Sequence, residues 1–173
     1  IPVIKVTPLC DFASFEENRE EGDVKEPYMM FCGSSSYFEV VKLIIDSYNL
    51  SKIKYKNKLL LVLSGSDSAL NKVREYDSNV MIRTKLPYNT LIAYYKHAYG
   101  LMIPLRNTIE DIARFPNKIC EYTAAKGLII TTNYGEIPYY FRNGENAIIA
   151  DDCTPEAIAK RLDEVDACVY DIE

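Results

Sequence analysis

Short apolar runs alternate with longer amphipathic segments along this sequence from residue 28 onward. The runs have the length of buried strands and cover residues 28–32, 58–64, 80–83, 100–105, 127–131 and 147–150. Most of the segments between them carry apolar residues every three or four positions, which predicts helices over residues 37–50, 68–76, 88–98, 116–126, 137–141 and 155–165. Alternating strands and helices form right-handed βαβ units. The sequence therefore predicts an α/β fold with a doubly wound, mainly parallel sheet and helices on both faces.

The first 27 residues follow a different pattern. Residues 1–6 are apolar and alternating, which predicts a strand, whereas residues 16–23 carry many carboxylates and little to bury. We therefore expect residues 1–27 to form a strand and an exposed linker, and residues 28–173 to form one domain. The sequence starts with Ile1 instead of Met, so we expect a piece of a longer protein.

The composition is typical of a globular domain and excludes several classes of function. The net charge of −5 disfavours a nucleic-acid partner, because such binding depends on Lys and Arg that neutralise phosphates. The five cysteines fit neither a zinc pattern nor a disulfide framework, so we expect reduced thiols in a cytosolic protein. With His97 as the single histidine, a Ser-His-Asp triad or a metal site with several histidines would have no histidine to spare. The longest apolar run, residues 59–63, is far too short to span a membrane.

Ligands of doubly wound sheets bind beyond the carboxyl ends of the strands, where helices begin. This rule selects the loops at residues 33–36, 65–68, 84–87 and 106–117. The first contains Gly33, Ser34 and Ser35, whose small side chains would let an anion approach the backbone amides at a helix N-terminus. A plain tight turn with a serine cap explains the same residues equally well.

The last of these loops leads into the segment richest in charged and polar residues. Pro116 suits a helix start, which places Lys118 and Glu121 on one helix face, with Arg114 and Asn117 close to its beginning. A carboxylate there can accept two ribose hydroxyls, and a cation can face a diphosphate. The alternative is an intrahelical Lys118–Glu121 ion pair on a solvated face.

Several segments together resemble the donor-binding half of GT-B glycosyltransferases, most of all the large retaining family four. They are residues 115–125, 129–131, 135, 137–138 and 143–147, with further matches at residues 8–12, 33–48, 79–88 and 94–104. The resemblance thus covers nearly the whole chain. It implies a Rossmann-like C-terminal domain over residues 28–173 that binds a nucleotide sugar. Residues 1–27 would then be the interdomain strand and linker, and the N-terminal acceptor domain would lie outside this sequence.

The resemblance also implies roles for individual residues. Glu121 is similar to the glutamate that binds the nucleotide ribose, and Gly33, Ser34 and Ser35 match the turn that approaches the diphosphate. Thr84 and Lys85 match residues beside the base, and Arg114, Asn117 and Lys118 lie in the segment close to the donor pocket. No catalytic residue is assigned. The donor would be a UDP- or GDP-sugar, and neither a cofactor nor a metal would be needed.

The sequence departs from the family pattern at charged positions. Ser34 and Glu39 stand where the family often has the Arg and Lys that clamp the diphosphate. Ala113 takes the place of the first glutamate of the paired-glutamate motif, with Glu110 and Asp111 out of register. Further along, Glu136 and Tyr139 replace the usual second Gly and Glu. Three cations remain that could supply the lost positive charge, namely Arg114, Lys118 and Lys126.

The predicted function is retaining, metal-independent transfer of a glycosyl unit to a glycan or lipid-linked acceptor, in polysaccharide biosynthesis. This chain alone would bind the donor without turnover. We expect a cytoplasmic location, with any peripheral contact to the membrane made by the N-terminal half. One alternative is a non-catalytic domain of the same fold whose many tyrosines bind a protein partner or a polysaccharide. A weaker alternative is a nucleotide-sugar epimerase, which shares the two-domain architecture.

Overall fold

The computed structural model describes residues 8–167, with side chains to Val165. The strand predicted over residues 1–6 lies outside the described residues. The six strands are β1 (Tyr28–Ser34), β2 (Lys58–Ser64), β3 (Met81–Arg83), β4 (Gly100–Met102), β5 (Ile129–Thr132) and β6 (Ile148–Ala150). The helices are α1 (Phe12–Glu17), α2 (Phe38–Leu50), α3 (Asp67–Tyr76), α4 (Tyr88–His97), α5 (Ile109–Ile112), α6 (Asn117–Ala124), α7 (Ile137–Tyr140) and α8 (Pro155–Ala167), with a 3₁₀ turn at Lys52–Tyr55.

The six strands form one parallel sheet in the order β3-β2-β1-β4-β5-β6. This order reverses between β1 and β4, which makes that boundary the topological switch point of a Rossmann-like sheet. All six strands predicted from residue 28 onward are present, and the predicted α/β fold is confirmed.

The core has two layers, one on each face of the sheet. Met29 and Phe31 of β1 pack into the layer covered by α2, α3 and α8, while Tyr28, Met30 and Cys32 pack into the layer covered by α1, α4 and α6. Successive side chains of a strand point to opposite faces, so a strand buried on both sides is apolar throughout. The helices on both faces follow from these two layers.

The segment before β1 is more ordered than the predicted connector. Helix α1 is capped by Asp11, whose side chain accepts from the Ser14 amide, and it buries Phe15 against the edge of Tyr88. Further on, the Asp23 carboxylate pairs with Arg83 at 3.0 Å and accepts a hydrogen bond from the Tyr94 hydroxyl. Residues 12–23 are therefore fastened across α4, and their role as an interdomain linker stays a prediction.

Among the described residues, no helix combines the length and apolarity that a membrane crossing requires.

Candidate functional site

A crevice opens at the switch point because β1 separates from one of its neighbours. β1 pairs with β2 along all seven of its residues, but it pairs with β4 only at Met29 and Met30. Beyond that point the Cys32 amide donates instead to the hydroxyl of Tyr122 on α6, at 3.1 Å. The carboxyl end of β1 thus faces a gap bridged by α6.

The first cavity in this crevice has a volume of about 380 Å³. Its walls come from the end of β1, the start of α2, the segment after β4 and the start of α6. The site residues Gly33, Ser34, Arg114, Asn117 and Lys118 all line it. The structure therefore brings together five of the nine residues that the sequence singled out.

A second cavity of about 430 Å³ lies on the β2 side of the same strand end. It shares Cys32, Gly33, Ser34 and Lys118 with the first cavity and adds Lys85 and apolar side chains that include Leu86 and Leu91. Lys85 has φ 53°, a left-handed backbone that is uncommon outside glycine. Thr84 directly follows β3, next to this cavity wall.

The amides of the turn after β1 are largely committed to internal hydrogen bonds. The Ser35 amide donates to the Ser64 carbonyl at 2.8 Å, and the Tyr37 amide donates to the Ser34 carbonyl at 3.1 Å. The Ser36 amide donates to the Ser34 hydroxyl at 3.2 Å. Ser35 itself is buried and holds the Ser64 carbonyl with its hydroxyl as well. The turn is therefore closed by its own hydrogen bonds, but no serine caps α2, whose N-cap residue Tyr37 makes no side-chain cap hydrogen bond. The predicted contact of these amides with a diphosphate stays a prediction.

Lys118 and Glu121 form the ion pair that their spacing predicts. Lys118 Nζ donates to Glu121 Oε2 at 2.8 Å, with side chains 33% and 19% exposed. Burial alone would lower the pKa of Lys118, but Cys32 and the hydrogen bond to Glu121 outweigh it and raise the pKa, so the ammonium stays charged. Lys118 lines both cavities, whereas Glu121 lines neither of them and lies next to the crevice only as the partner of Lys118. The predicted contact of Glu121 with a ribose stays a prediction. The pair is half-buried beside the crevice, whereas the alternative interpretation placed it on a solvated helix face.

Arg114 is held by a buried carboxylate that the sequence analysis left unassigned. Arg114 Nη2 donates to Asp111 Oδ1 at 2.7 Å, and Arg106 Nε donates to Asp111 Oδ2 at 2.8 Å. Burial raises the pKa of the Asp111 carboxyl, but hydrogen bonds from Arg106 and the charges of both arginines outweigh it and hold the pKa below its usual range. Asp111 thus stays ionised although it is 1% exposed.

Other positions differ in their distance from the crevice. Lys126 follows the far end of α6, so it cannot replace a cation at the helix start.

Three residues of the crevice were not predicted from the sequence, namely Tyr37, Tyr122 and Asp111. The first lines the cavity, the second closes the β1 gap, and the third holds Arg114. The contact between Asp111 and Arg114 could have been predicted from their spacing, because Asp111 stands three residues before Arg114. Among residues 8–167, no cluster of His, Cys, Asp or Glu is suited to hold a metal ion.

Comparisons with known proteins identify the family and support the fold. A family model described as "Glycosyl transferases group 1" matches residues 14–167. No curated protein matches the chain in sequence.

Among solved structures, a glycosyltransferase from Rickettsia africae superposes with a TM-score of 0.67 at 19% identity, over 83% of this chain and 38% of that one. The C-terminal domain of a glycosyl transferase group 1 family protein, LpcC from Francisella tularensis, has a TM-score of 0.59 at 14% identity, over 93% of this chain and 85% of that one. WaaG, a glycosyltransferase involved in lipopolysaccharide biosynthesis, has a TM-score of 0.62 at 14% identity, over 84% of this chain and 39% of that one. The chain thus spans less than half the length of the Rickettsia protein and of WaaG.

Proposed function

This chain belongs to the family of group 1 glycosyl transferases, and on that premise we propose that it is the nucleotide-sugar-binding half of an enzyme that transfers a glycosyl unit to a glycan or lipid-linked acceptor. The observation that carries the proposal is the position of Lys118. Its ammonium lies at the crevice of the topological switch point, lines both cavities and holds the Glu121 carboxylate at 2.8 Å. A cation for phosphate and a carboxylate for ribose hydroxyls therefore lie side by side where such sheets bind nucleotides.

The two cavities divide the donor between them in this proposal. The second cavity, with Lys85, Leu86 and Leu91 on its wall, has the apolar character that suits a nucleobase. The first cavity, with Arg114 and Lys118, would hold the diphosphate and the sugar. Positive side chains would stabilise the leaving diphosphate, which makes a bound metal unnecessary. Contacts with the acceptor, and any general base, would then be supplied by an N-terminal half.

The proposal also covers the stereochemistry of the transfer, the donor and the biosynthetic role. Transfer with retained anomeric configuration, on a UDP- or GDP-sugar, fits the donor-half resemblance of residues 115–125. A role in polysaccharide assembly is supported by the fold likeness to WaaG, itself a lipopolysaccharide enzyme. Such an enzyme would work in the cytoplasm, and any contact with the inner face of the membrane would be made by the N-terminal half.

Calorimetric titration of the full-length protein with uridine and guanosine diphosphates tests the proposal. One of the two is expected to bind, and Glu121→Gln is expected to weaken both this binding and that of the matching nucleoside by roughly tenfold. The matched control is Glu145→Gln, which opens another i,i+3 ion pair, Arg142–Glu145, whose side chains are far more exposed. Binding of neither diphosphate would overturn the proposed function, whereas unchanged binding by the Glu121 variant would overturn only the ribose contact.

An interaction domain remains the second candidate, because some tyrosines are strongly exposed. Tyr139 is 83% exposed, and it adjoins Tyr140 at 43%. By contrast, Tyr94, Tyr95 and Tyr122 are buried in the core, so these three contribute to packing and are not available to a partner. Replacing Tyr139 with serine separates the two functions, since a partner-binding role would be weakened and nucleotide binding would not. The epimerase alternative predicts free epimerised sugar nucleotide instead of a glycoside in a product assay.

A further inference from the structure

The positive charge at the crevice is unevenly available to a ligand. Lys118 is neutralised by Glu121 at 2.8 Å. Arg106 and Arg114 share the single carboxylate of Asp111, so this three-residue cluster keeps one net positive charge. Glu110 also interacts with Arg106. Because Ser34 and Glu39 supply no cation, Arg114 is the cation of the cluster that lines the first cavity and is available to a ligand there.

The geometry of the cluster directs Arg114, rather than Arg106, toward the cavity. Arg114 lines the cavity, and its guanidinium carbon lies 5.2 Å from the centroid of the Tyr37 ring, which lines the same cavity. Arg106 bonds to Asp111 with both its backbone amide, at 3.0 Å, and its Nε, at 2.8 Å. Arg106 therefore fastens the carboxylate to the loop after β4, and the carboxylate in turn holds Arg114.

We propose that Asp111 is a positioning residue that holds the Arg114 guanidinium at the first cavity, where it binds the diphosphate of the donor. The inference rests on the proposed function. A long arginine side chain that is 41% exposed would otherwise sample many rotamers, and each of them would have to be given up on binding. The Asp111 carboxylate on one side and the Tyr37 ring on the other restrict the side chain before the ligand arrives. The guanidinium still has donors left for two phosphate oxygens, because Asp111 takes only one of its terminal nitrogens.

A double-mutant cycle on the full-length protein tests this role. The four proteins are the wild type, Arg114→Ala, Asp111→Asn and the double variant, titrated with the nucleoside diphosphate that the wild type binds and with the matching nucleoside. Arg114→Ala is expected to weaken diphosphate binding by roughly tenfold or more and to leave nucleoside binding unchanged. Asp111→Asn is expected to weaken diphosphate binding in the wild-type background but not in the Arg114→Ala background. A purely structural role of Asp111 would instead weaken nucleoside and diphosphate alike in both backgrounds.

Two further proteins keep the test decisive. Should Asp111→Asn fail to fold, the pair Arg106→Met with Asp111→Leu removes the buried acid together with its main partner, a replacement that buried ion pairs often tolerate. It leaves Arg114 in place but unheld, so diphosphate binding is expected to fall as for Arg114→Ala. Arg142→Gln removes an exposed arginine elsewhere and controls for the loss of one positive charge.

The outcomes are distinct. Wild-type diphosphate binding by Asp111→Asn, or by the Arg106→Met/Asp111→Leu pair, would overturn the positioning role. Wild-type binding by Arg114→Ala would overturn the diphosphate contact itself, and both results would leave the proposed function standing. Failure of the wild type to bind either diphosphate would remove the proposed function and this inference together.

Discussion

At the scale of single residues, two buried tyrosines beside the crevice differ in their hydrogen bonding. Tyr122 and Tyr95 are both fully buried, with ring centroids 5.2 Å apart in an edge-to-face contact. The Tyr122 hydroxyl accepts the Cys32 amide, which has lost its partner in β4. The Tyr95 hydroxyl has no hydrogen-bond partner among residues 8–167, although the weakly polar Cys32 thiol lies near it. Only the Tyr122 hydroxyl therefore provides an acceptor for a backbone amide of the sheet.

Tyr122→Phe is therefore expected to destabilise the fold by about 1–3 kcal/mol, because it leaves a buried backbone amide without an acceptor. Tyr95→Phe is the matched control and is expected to leave stability unchanged or slightly raised, because it removes a buried hydroxyl that has no partner. Urea unfolding followed by circular dichroism measures both. Equal losses in the two variants would show that the Cys32–Tyr122 hydrogen bond has no special role.

Residue-level prediction from the sequence succeeded where partners are neighbours on one helix. The Lys118–Glu121 pair follows from i,i+3 spacing, and the structure contains it. Asp111 was out of reach because its contacts with Arg106 and Arg114 depend on the path of the loop after β4. Likewise, Tyr122 meets Cys32 across 90 positions of sequence. Short-range periodicity carries no information on either contact.

At the scale of elements, α1 is the helix whose importance the sequence concealed. It has six residues and buries a single side chain, Phe15, so it shows no helical period. Elements with many buried residues were predictable, as for β2, whose bounds match the predicted residues 58–64. β4 ends early, at Met102, although the apolar run continues to Leu105. The Ile103 amide still donates to the Ile130 carbonyl of β5, at 2.8 Å, but pairing with β1 has already stopped at Met30 and Leu101. The loss of the pairing with β1 accompanies the end of the strand and opens the crevice.

Phe15→Ala tests whether residues 12–17 are an integral part of the domain. The buried ring packs against Tyr88 at the start of α4, so its removal is expected to destabilise the fold by about 3 kcal/mol. Phe12→Ala removes the same side chain from the same helix, but that ring is 55% exposed, and a change within about 0.5 kcal/mol is expected. Thermal unfolding of the two variants gives the comparison. A loss of less than 1 kcal/mol for Phe15→Ala would indicate a connector that the domain does not need.

At the scale of the whole molecule, the charge distribution opposes the net charge. The chain carries −5, yet Lys85, Arg106, Arg114 and Lys118 gather around one end of the sheet. The apolar pattern predicted this end as the ligand edge because the carboxyl ends of parallel strands all lie at the same edge of a sheet. It could not predict how much of that charge is neutralised, because Asp111 and Glu121 become partners only in the fold.

The same buried acid makes the stability of the whole molecule sensitive to low pH. The folded-state pKa of Asp111 lies below its usual value, so its contribution to stability is fully present above the unfolded pKa of about 3.9 and is lost as pH falls through the folded pKa. The melting temperature is therefore expected to fall below about pH 4, where the unfolded chain takes up a proton at Asp111 that the folded protein binds only at lower pH. Asp111→Asn should melt lower than the wild type at pH 7 but lose less on acidification, whereas Asp67→Asn, at an exposed position, should keep the wild-type slope. Scanning calorimetry from pH 7 to pH 2.5 measures the three slopes, and parallel curves for wild type and Asp111→Asn would mean that other carboxylates govern the acid limit.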